Sequence, residues 1–137
     1  MTINVAINGF GRIGRLAFRA ILARPEFQVV AINDLISSEY MAYLLRYDST
    51  HGQFLADINH SVNSLSVDGK KIRSSQYKQP KDCQWNQVNA DIVIESTGLF
   101  TNVEKSQGHL QAGAKKVVIS APSSDAPMFV MGVNHQE

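Results

Sequence analysis

Near the start of the chain, Asn8-Gly9-Phe10-Gly11-Arg12-Ile13-Gly14-Arg15 separates a short apolar run from a segment of helical periodicity. The run Ile3 to Ile7, with Val5 and Ala6 inside it, suits a strand buried on both faces. From Ile13 the period changes. Ile13, Leu16, Ala17, Ala20 and Ile21 recur at helical spacing and predict the apolar face, with Arg12, Arg15 and Arg19 opposite. Arg24-Pro25 ends that helix, because proline cannot continue it and restricts the residue before it. A second strand is predicted at Gln28–Asn33, and Asp34 stands at its end, 20 residues past Gly14. Strand, glycine turn, helix, strand and acid form the pattern of a pocket for an adenine dinucleotide.

Each residue type has a physical reason. Gly9 permits the tight turn, Gly11 lets the main chain approach a diphosphate with no Cβ in the way, and Gly14 lets helix and strand pack closely. The first helical turn presents free N–H groups and the positive end of the helix dipole to the phosphates. Arg12 adds a candidate charged hydrogen bond there. Asp34 can accept hydrogen bonds from both ribose hydroxyls and repel a 2′-phosphate, which favours NAD over NADP. The competing readings are a plain strand-to-helix connection for the glycines and an ordinary loop or capping acid for Asp34.

The rest of the chain alternates strands and helices. Ser37-Ser38-Glu39 opens a helix with Met41, Leu44 and Leu45 on one face. Residues 55 to 78 read as a small β insertion, in which Leu65 and Val67 alternate with polar residues, Asp68-Gly69 turns, and Ile72 continues the return. Asp91–Glu95, Val117–Ser120 and Met128–Val133 read as buried strands. Thr101 and Glu104 fit a capping box for a helix to about Ala112, with Gly113 as its stop. The predicted architecture is a doubly wound, mostly parallel α/β sheet with a small β insertion, over residues 1–137 as one domain. Ligands on such sheets bind beyond the carboxyl ends of the strands. Asn8-Gly9, Asn33-Asp34, Ser96-Thr97-Gly98 and Ser120-Ala121-Pro122 should therefore meet at one edge.

Several function classes are disfavoured. A formal net charge of +1 gives no pull toward nucleic acid or an anionic membrane, and no apolar run is long enough to cross a bilayer. The N-terminus passes straight into a strand, which argues against a signal peptide. One cysteine, Cys83, cannot form an intrachain disulfide, in keeping with a reducing cytoplasm. It reads as a partly buried thiol with no neighbouring histidine. His51, His60, His109 and His135 show no metal spacing, so no metal site is expected, and Tyr40, Tyr43 and Tyr47 are expected to pack.

Taken together, Asn8 to Arg15, Asn33-Asp34, Tyr47-Asp48-Ser49-Thr50-His51-Gly52 and Glu95-Ser96-Thr97-Gly98-Leu99-Phe100 resemble glyceraldehyde-3-phosphate dehydrogenase. So do Gly113 to Ser123 and Pro127-Met128-Phe129-Val130-Met131-Gly132-Val133-Asn134. The resemblance runs the whole length of this chain but under half of a typical family member. It implies that Arg12 and the Ile13 backbone hold the diphosphate and that Asp34 holds the adenosine ribose, with Asn33 nearby. It also implies that Thr97, Gly98 and Phe100 border the adenine side and that Ser120 lies toward the nicotinamide. Lys78 stands where the bacterial pattern has arginine; it keeps the charge but loses the flat stacking fork.

The resemblance also implies an activity for a complete parent. NAD oxidises glyceraldehyde 3-phosphate to a cysteine thioester, which inorganic phosphate then cleaves, releasing the thiolate and 1,3-bisphosphoglycerate. The family's Ser-Cys-Thr-Thr-Asn-Cys block and histidine base have no counterpart in this sequence. No catalytic residue is assigned, and the chain is expected to bind NAD without turnover. The parent is expected to be a cytoplasmic homotetramer. In the family a C-terminal helix and a second domain cover this one, so the piece alone should expose apolar surface. Two alternatives stand beside this reading: a non-catalytic nucleotide- or partner-binding fragment, and the matching domain of an erythrose-4-phosphate dehydrogenase.

Overall fold

A computed structural model of the chain describes residues 2–47, 57–98 and 103–119. The predicted strand at 128–133, Thr101 of the capping box, and the tip of the 55–78 insertion at its N-terminal end fall outside those residues.

The first unit is β1 (Ile3–Asn8), α1 (Arg12–Leu22) and β2 (Phe27–Asn33). It is followed by α2 (Ser38–Arg46), then β3 (Ile58–Ser61), β4 (Ser64–Val67) and β5 (Lys70–Ser75). Two short 3-10 turns, Pro80–Asp82 and Trp85–Val88, lead to β6 (Ile92–Glu95), α3 (Val103–Gln111) and β7 (Lys116–Ile119). All seven strands form one sheet in the order β3-β4-β5-β2-β1-β6-β7. From β5 to β7 the neighbours are parallel, while β3, β4 and β5 pair antiparallel. The β insertion thus extends the main sheet, and its last strand is itself the third parallel strand. Asp68 and Gly69 both take positive φ, as a tight hairpin turn requires.

The chain works outward from β1 through β2 to β5, then returns to place β6 on the other side of β1. This reversal leaves a crevice at the carboxyl ends of β1 and its neighbours, where the crossover connections diverge.

Alternation along the parallel strands feeds two cores. Ile7, Ile32 and Ile72 join Phe10, Phe18, Met41 and Leu45 under α1 and α2. Ala6, Ala31 and Val93 face the other way, against Cys83, Trp85, Ala112 and Ala114. Ser37 caps α2, its hydroxyl accepting from the Tyr40 N–H at 3.1 Å. Gly108 sits inside α3 because a Cβ there would meet Lys81 N and Pro80 Cβ, each at 2.9 Å. Gly113 ends the α3 segment with φ +117, as its placement predicts.

Two expectations are corrected. The buried face of α1 is Gly14 and Phe18, with Ile21 packed beside them, whereas Ile13 and Leu16 are 50% and 43% exposed. The true face runs Gly14, Phe18 and Ile21 at i, i+4 and i+7; Gly14 adds nothing to an apolar count, so the count settled on the neighbouring stripe of Ile13, Leu16 and Ala17. Tyr40, Tyr43 and Tyr47 do not pack into the core. The α2 face of Ser38, Met41, Ala42 and Leu45 does that, and the tyrosines are exposed in a row, Tyr40 stacked on Tyr43 at 6.1 Å between centroids and Tyr43 tilted against Tyr47 at 5.3 Å. An apolar groove of about 300 Å³ also opens between α1 and the sheet, walled by Ala20, Ile21, Phe27, Ile94 and Val118.

Candidate functional site

Three of the four polar strand ends meet as expected. A cleft of about 280 Å³ is lined by Asn8, Gly9 and Gly11 from the first turn, Asn33, Asp34 and Leu35 from the second, and Ser96 and Thr97 beyond β6. Tyr77 and Lys78 close one side. Ser120, Phe100 and the 121–122 segment lie outside the described residues. Arg12 and Ile13 stand exposed on the first turn of α1, beside Gly11. Gly98, with φ +77, follows Thr97 and does not itself line the cleft. Leu35 and Tyr77 are cleft residues that carry no motif of their own. Leu35 in particular is an apolar residue left largely exposed by its place after Asp34.

The glycine turn is built by close approach. The Gly9 N–H donates to Asn33 O at 2.8 Å, and Ser96 donates back, its N–H to Asn8 O at 2.8 Å and its hydroxyl to Gly9 O at 2.6 Å. Gly9 has φ +97, and a Cβ on it would meet Thr97 N at 2.7 Å. A Cβ on Gly14 would sit 2.1 Å from Gly9 O, so the helix can rest on the turn only because Gly14 has none. Gly11 differs: nothing lies within 4 Å of where its Cβ would be. It is the N-cap of α1 and gives no side-chain hydrogen bond to the first turn. Those N–H groups face the open side of the turn and suit an anion.

Asp34 spans the gap between the two turns. Its Oδ2 accepts from the Phe10 N–H and its Oδ1 from the Leu35 N–H, both at 2.6 Å. The Leu35 contact is the local turn a loop acid makes; the Phe10 contact ties the end of β2 to the glycine turn. A carboxylate has about four acceptor positions, so two remain for a diol. An uncapped helix N-terminus, an open Gly11 and a fixed carboxylate with spare acceptors fit a dinucleotide. They provide an anion site and a diol site about one cleft apart.

Beneath the cleft lies a polar chain that sequence reading did not find. Asn33 Nδ2 donates to Asn8 Oδ1 at 2.8 Å and to Tyr77 O at 2.9 Å, while Asn33 Oδ1 accepts from Ser75 Oγ and the Tyr77 N–H. Asn8 Nδ2 donates to Glu95 Oε1 at 2.7 Å. His109 also meets Oε1, at 2.8 Å, and the Trp85 indole N–H donates to His109 Nδ1 at 2.9 Å. That last bond assigns the tautomer: Nδ1 accepts, so Nε2 carries the proton toward Glu95. Thr97 donates twice to Glu95 Oε2, from its N–H at 2.9 Å and from its hydroxyl. Burial alone would raise the Glu95 carboxyl pKa. The hydrogen bonds from His109, Thr97 and Asn8 outweigh it and hold the group below the ordinary glutamate value.

Cys83 lies on the far side of the sheet, fully buried beside Trp85. Burial pushes its thiol up to about 12, against a partial opposing pull from Arg73. It is therefore a packing residue rather than a nucleophile.

Fold and cleft together define a dinucleotide-binding domain of the doubly wound α/β type. Residues 3–103 match the family described as "Glyceraldehyde 3-phosphate dehydrogenase, NAD binding domain". The chain belongs to that NAD-binding family. It is 56% identical over 137 residues to a glyceraldehyde-3-phosphate dehydrogenase of Coccidioides posadasii (strain C735), covering 99% of this chain. It is 54% identical over 136 residues to the cytosolic enzyme of Trypanosoma brucei brucei, covering 98% of this chain. With glyceraldehyde-3-phosphate dehydrogenase 3 of Saccharomyces cerevisiae it shares 53% identity over 136 residues, again 98% of this chain. In each case the chain spans 41% of the relative's length. Among the described residues no helix is long and apolar enough to cross a membrane.

Proposed function

We propose that residues 1–137 are the cofactor-holding domain of a phosphorylating glyceraldehyde-3-phosphate dehydrogenase, working in the cytosol as part of a homotetrameric parent. In that reading the first turn of α1, with Arg12 and the Ile13 N–H, receives the diphosphate, and Gly9, Gly11 and Gly14 give it room. Asp34 accepts from the adenosine ribose, and Asn33 fixes the neighbouring backbone through Tyr77. Lys78, Thr97, Gly98 and Phe100 border the adenine end, and Ser120 lies toward the nicotinamide. Bound NAD supplies the hydride acceptor; this chain supplies its binding and orientation. The aldehyde substrate and the acyl-forming chemistry belong to the parent. The lone cysteine here is buried on the wrong face and too basic to attack an aldehyde.

One observation carries the reading: an uncapped glycine turn opens onto the cleft with Asp34 fixed across it at 2.6 Å from the Phe10 nitrogen. Calorimetric titration tests it. NAD should bind more tightly than NADP, and Asp34→Asn should narrow that gap. Adding glyceraldehyde 3-phosphate and phosphate to the pure chain should form no NADH. Equal affinity for the two dinucleotides, or substrate-dependent NADH, would overturn it.

A further inference from the structure

Glu95 presents a puzzle. It is 1% exposed, ionised in preference to neutral, and bonded to Asn8 and Thr97, two residues that line a cleft suited to an anion. Its charge does nothing to attract a diphosphate. A buried carboxylate is tolerated only where donors match its lone pairs, and here they come from residues that flank the glycine turn. Oε1 holds Asn8, the residue just before Gly9, and Oε2 holds Thr97, which lies against Gly9. The contact has no slack: a Cβ on Gly9 would meet Thr97 N at 2.7 Å and Thr97 Cγ2 at 2.9 Å. A shift of Thr97 must therefore be passed to the turn.

We infer that Glu95 is a positioning residue for the dinucleotide cleft: its two oxygens clamp the glycine turn from both sides, and the Trp85–His109 pair holds the carboxylate in that pose. The inference rests on the proposed dinucleotide reading, since it assigns Glu95 a role in shaping that same cleft. Two acceptor oxygens are required. A glutamine has one acceptor and one donor, so either its NH₂ faces the Thr97 donors or it faces those of Asn8 and His109. In the second pose His109 could still adapt by moving its proton to Nδ1 and accepting at Nε2. The Trp85 indole N–H forbids that, because it needs Nδ1 as its acceptor. The tautomer is thus set from the opposite core and read at the cleft.

A clamp and a simple loss of core stability differ in their consequences. Glu95→Gln in the full chain should weaken NAD roughly tenfold or more, and the Thr97 and Gly9 amides should lose protection from hydrogen exchange. Trp85→Phe alone should weaken NAD by less. The double variant Glu95→Gln/Trp85→Phe should lose less NAD affinity than the two single losses summed, because His109 is freed to accept while the Asn8 donor stays mismatched. Two lesions that merely add, or an NAD affinity unmoved by Glu95→Gln, would overturn the clamp. Should Glu95→Gln fail to fold, Trp85→Phe carries the test, with faster Thr97 and Gly9 exchange expected and unchanged exchange counting against the idea. If the unsubstituted chain binds no NAD, the dinucleotide reading has failed, and amide exchange still decides the clamp.

Discussion

Replacing Gly14 by alanine separates the packing role of a glycine from its ligand role, because Gly11 offers a control three residues away. At Gly14 the new Cβ would lie 2.1 Å from Gly9 O, where contacts under 3.0 Å are essentially never found, so turn and helix must part by about 0.9 Å. The obstacle is backbone and cannot swing aside. Overpacking of this kind costs about 1–3 kcal/mol, and the rigid partner puts it at the upper end. Alanine recovers about 1 kcal/mol of helix propensity. The expected net loss is about 2 kcal/mol, or roughly 8 °C in melting temperature for a domain of this size. At Gly11 no atom lies within 4 Å and φ is −78, which any residue adopts. A weaker N-cap and a stiffer unfolded chain roughly cancel there, each about 0.5 kcal/mol. On the proposed reading, Gly11→Ala should therefore melt like the parent yet bind NAD at least about tenfold more weakly, since its Cβ would stand where the main chain is to meet the diphosphate. Circular-dichroism melts and calorimetric titration on both variants decide the matter. A Gly14→Ala variant with an unchanged melt, or a Gly11→Ala variant with undiminished NAD affinity, would refute the reasoning.

Acid should reveal the buried carboxylate. Glu95 has a folded-state pKa below its ordinary value, so its contribution is fully present above the ordinary glutamate range and is lost as pH falls through the folded value. Glu95→Gln should then be less stable than the parent at neutral pH, with the difference shrinking on acidification; melts showing a constant gap into the acid range would contradict this. Cys83 should resist alkylation by iodoacetamide at pH 8 in the folded chain and react at once in denaturant, because burial holds its thiol near 12. Mass spectrometry of the quenched product would expose the opposite result.

What could be read in advance was what local chemistry decides. Ser37 as a cap, Asp68-Gly69 as a hairpin turn, Gly113 as a helix stop and the glycine turn itself each depend on residues a few positions apart. Hydropathy failed on α1 because Gly14 occupies the buried centre of the face and adds nothing to an apolar count, while Ile13 and Leu16 lie on the flank. The polar chain under the cleft was invisible for a different reason. Asn8 and Glu95 are 87 residues apart, Trp85 and His109 are 24 apart, and Asn33 and Tyr77 are 44 apart. Nothing in the neighbourhood of His109 distinguishes it from a solvated histidine, yet it is fully buried. Its partners are supplied by topology, which brings β1, β2 and β6 side by side.

The sequence holds a single tryptophan, and it is the one whose indole N–H begins the chain of bonds ending at Thr97. Indole emission is sensitive to the polarity and hydrogen bonding around the ring. Trp85 therefore makes a built-in optical gauge: it is buried in a core and does not line the cleft, yet is wired through His109 and Glu95 to Asn8 and Thr97, which do.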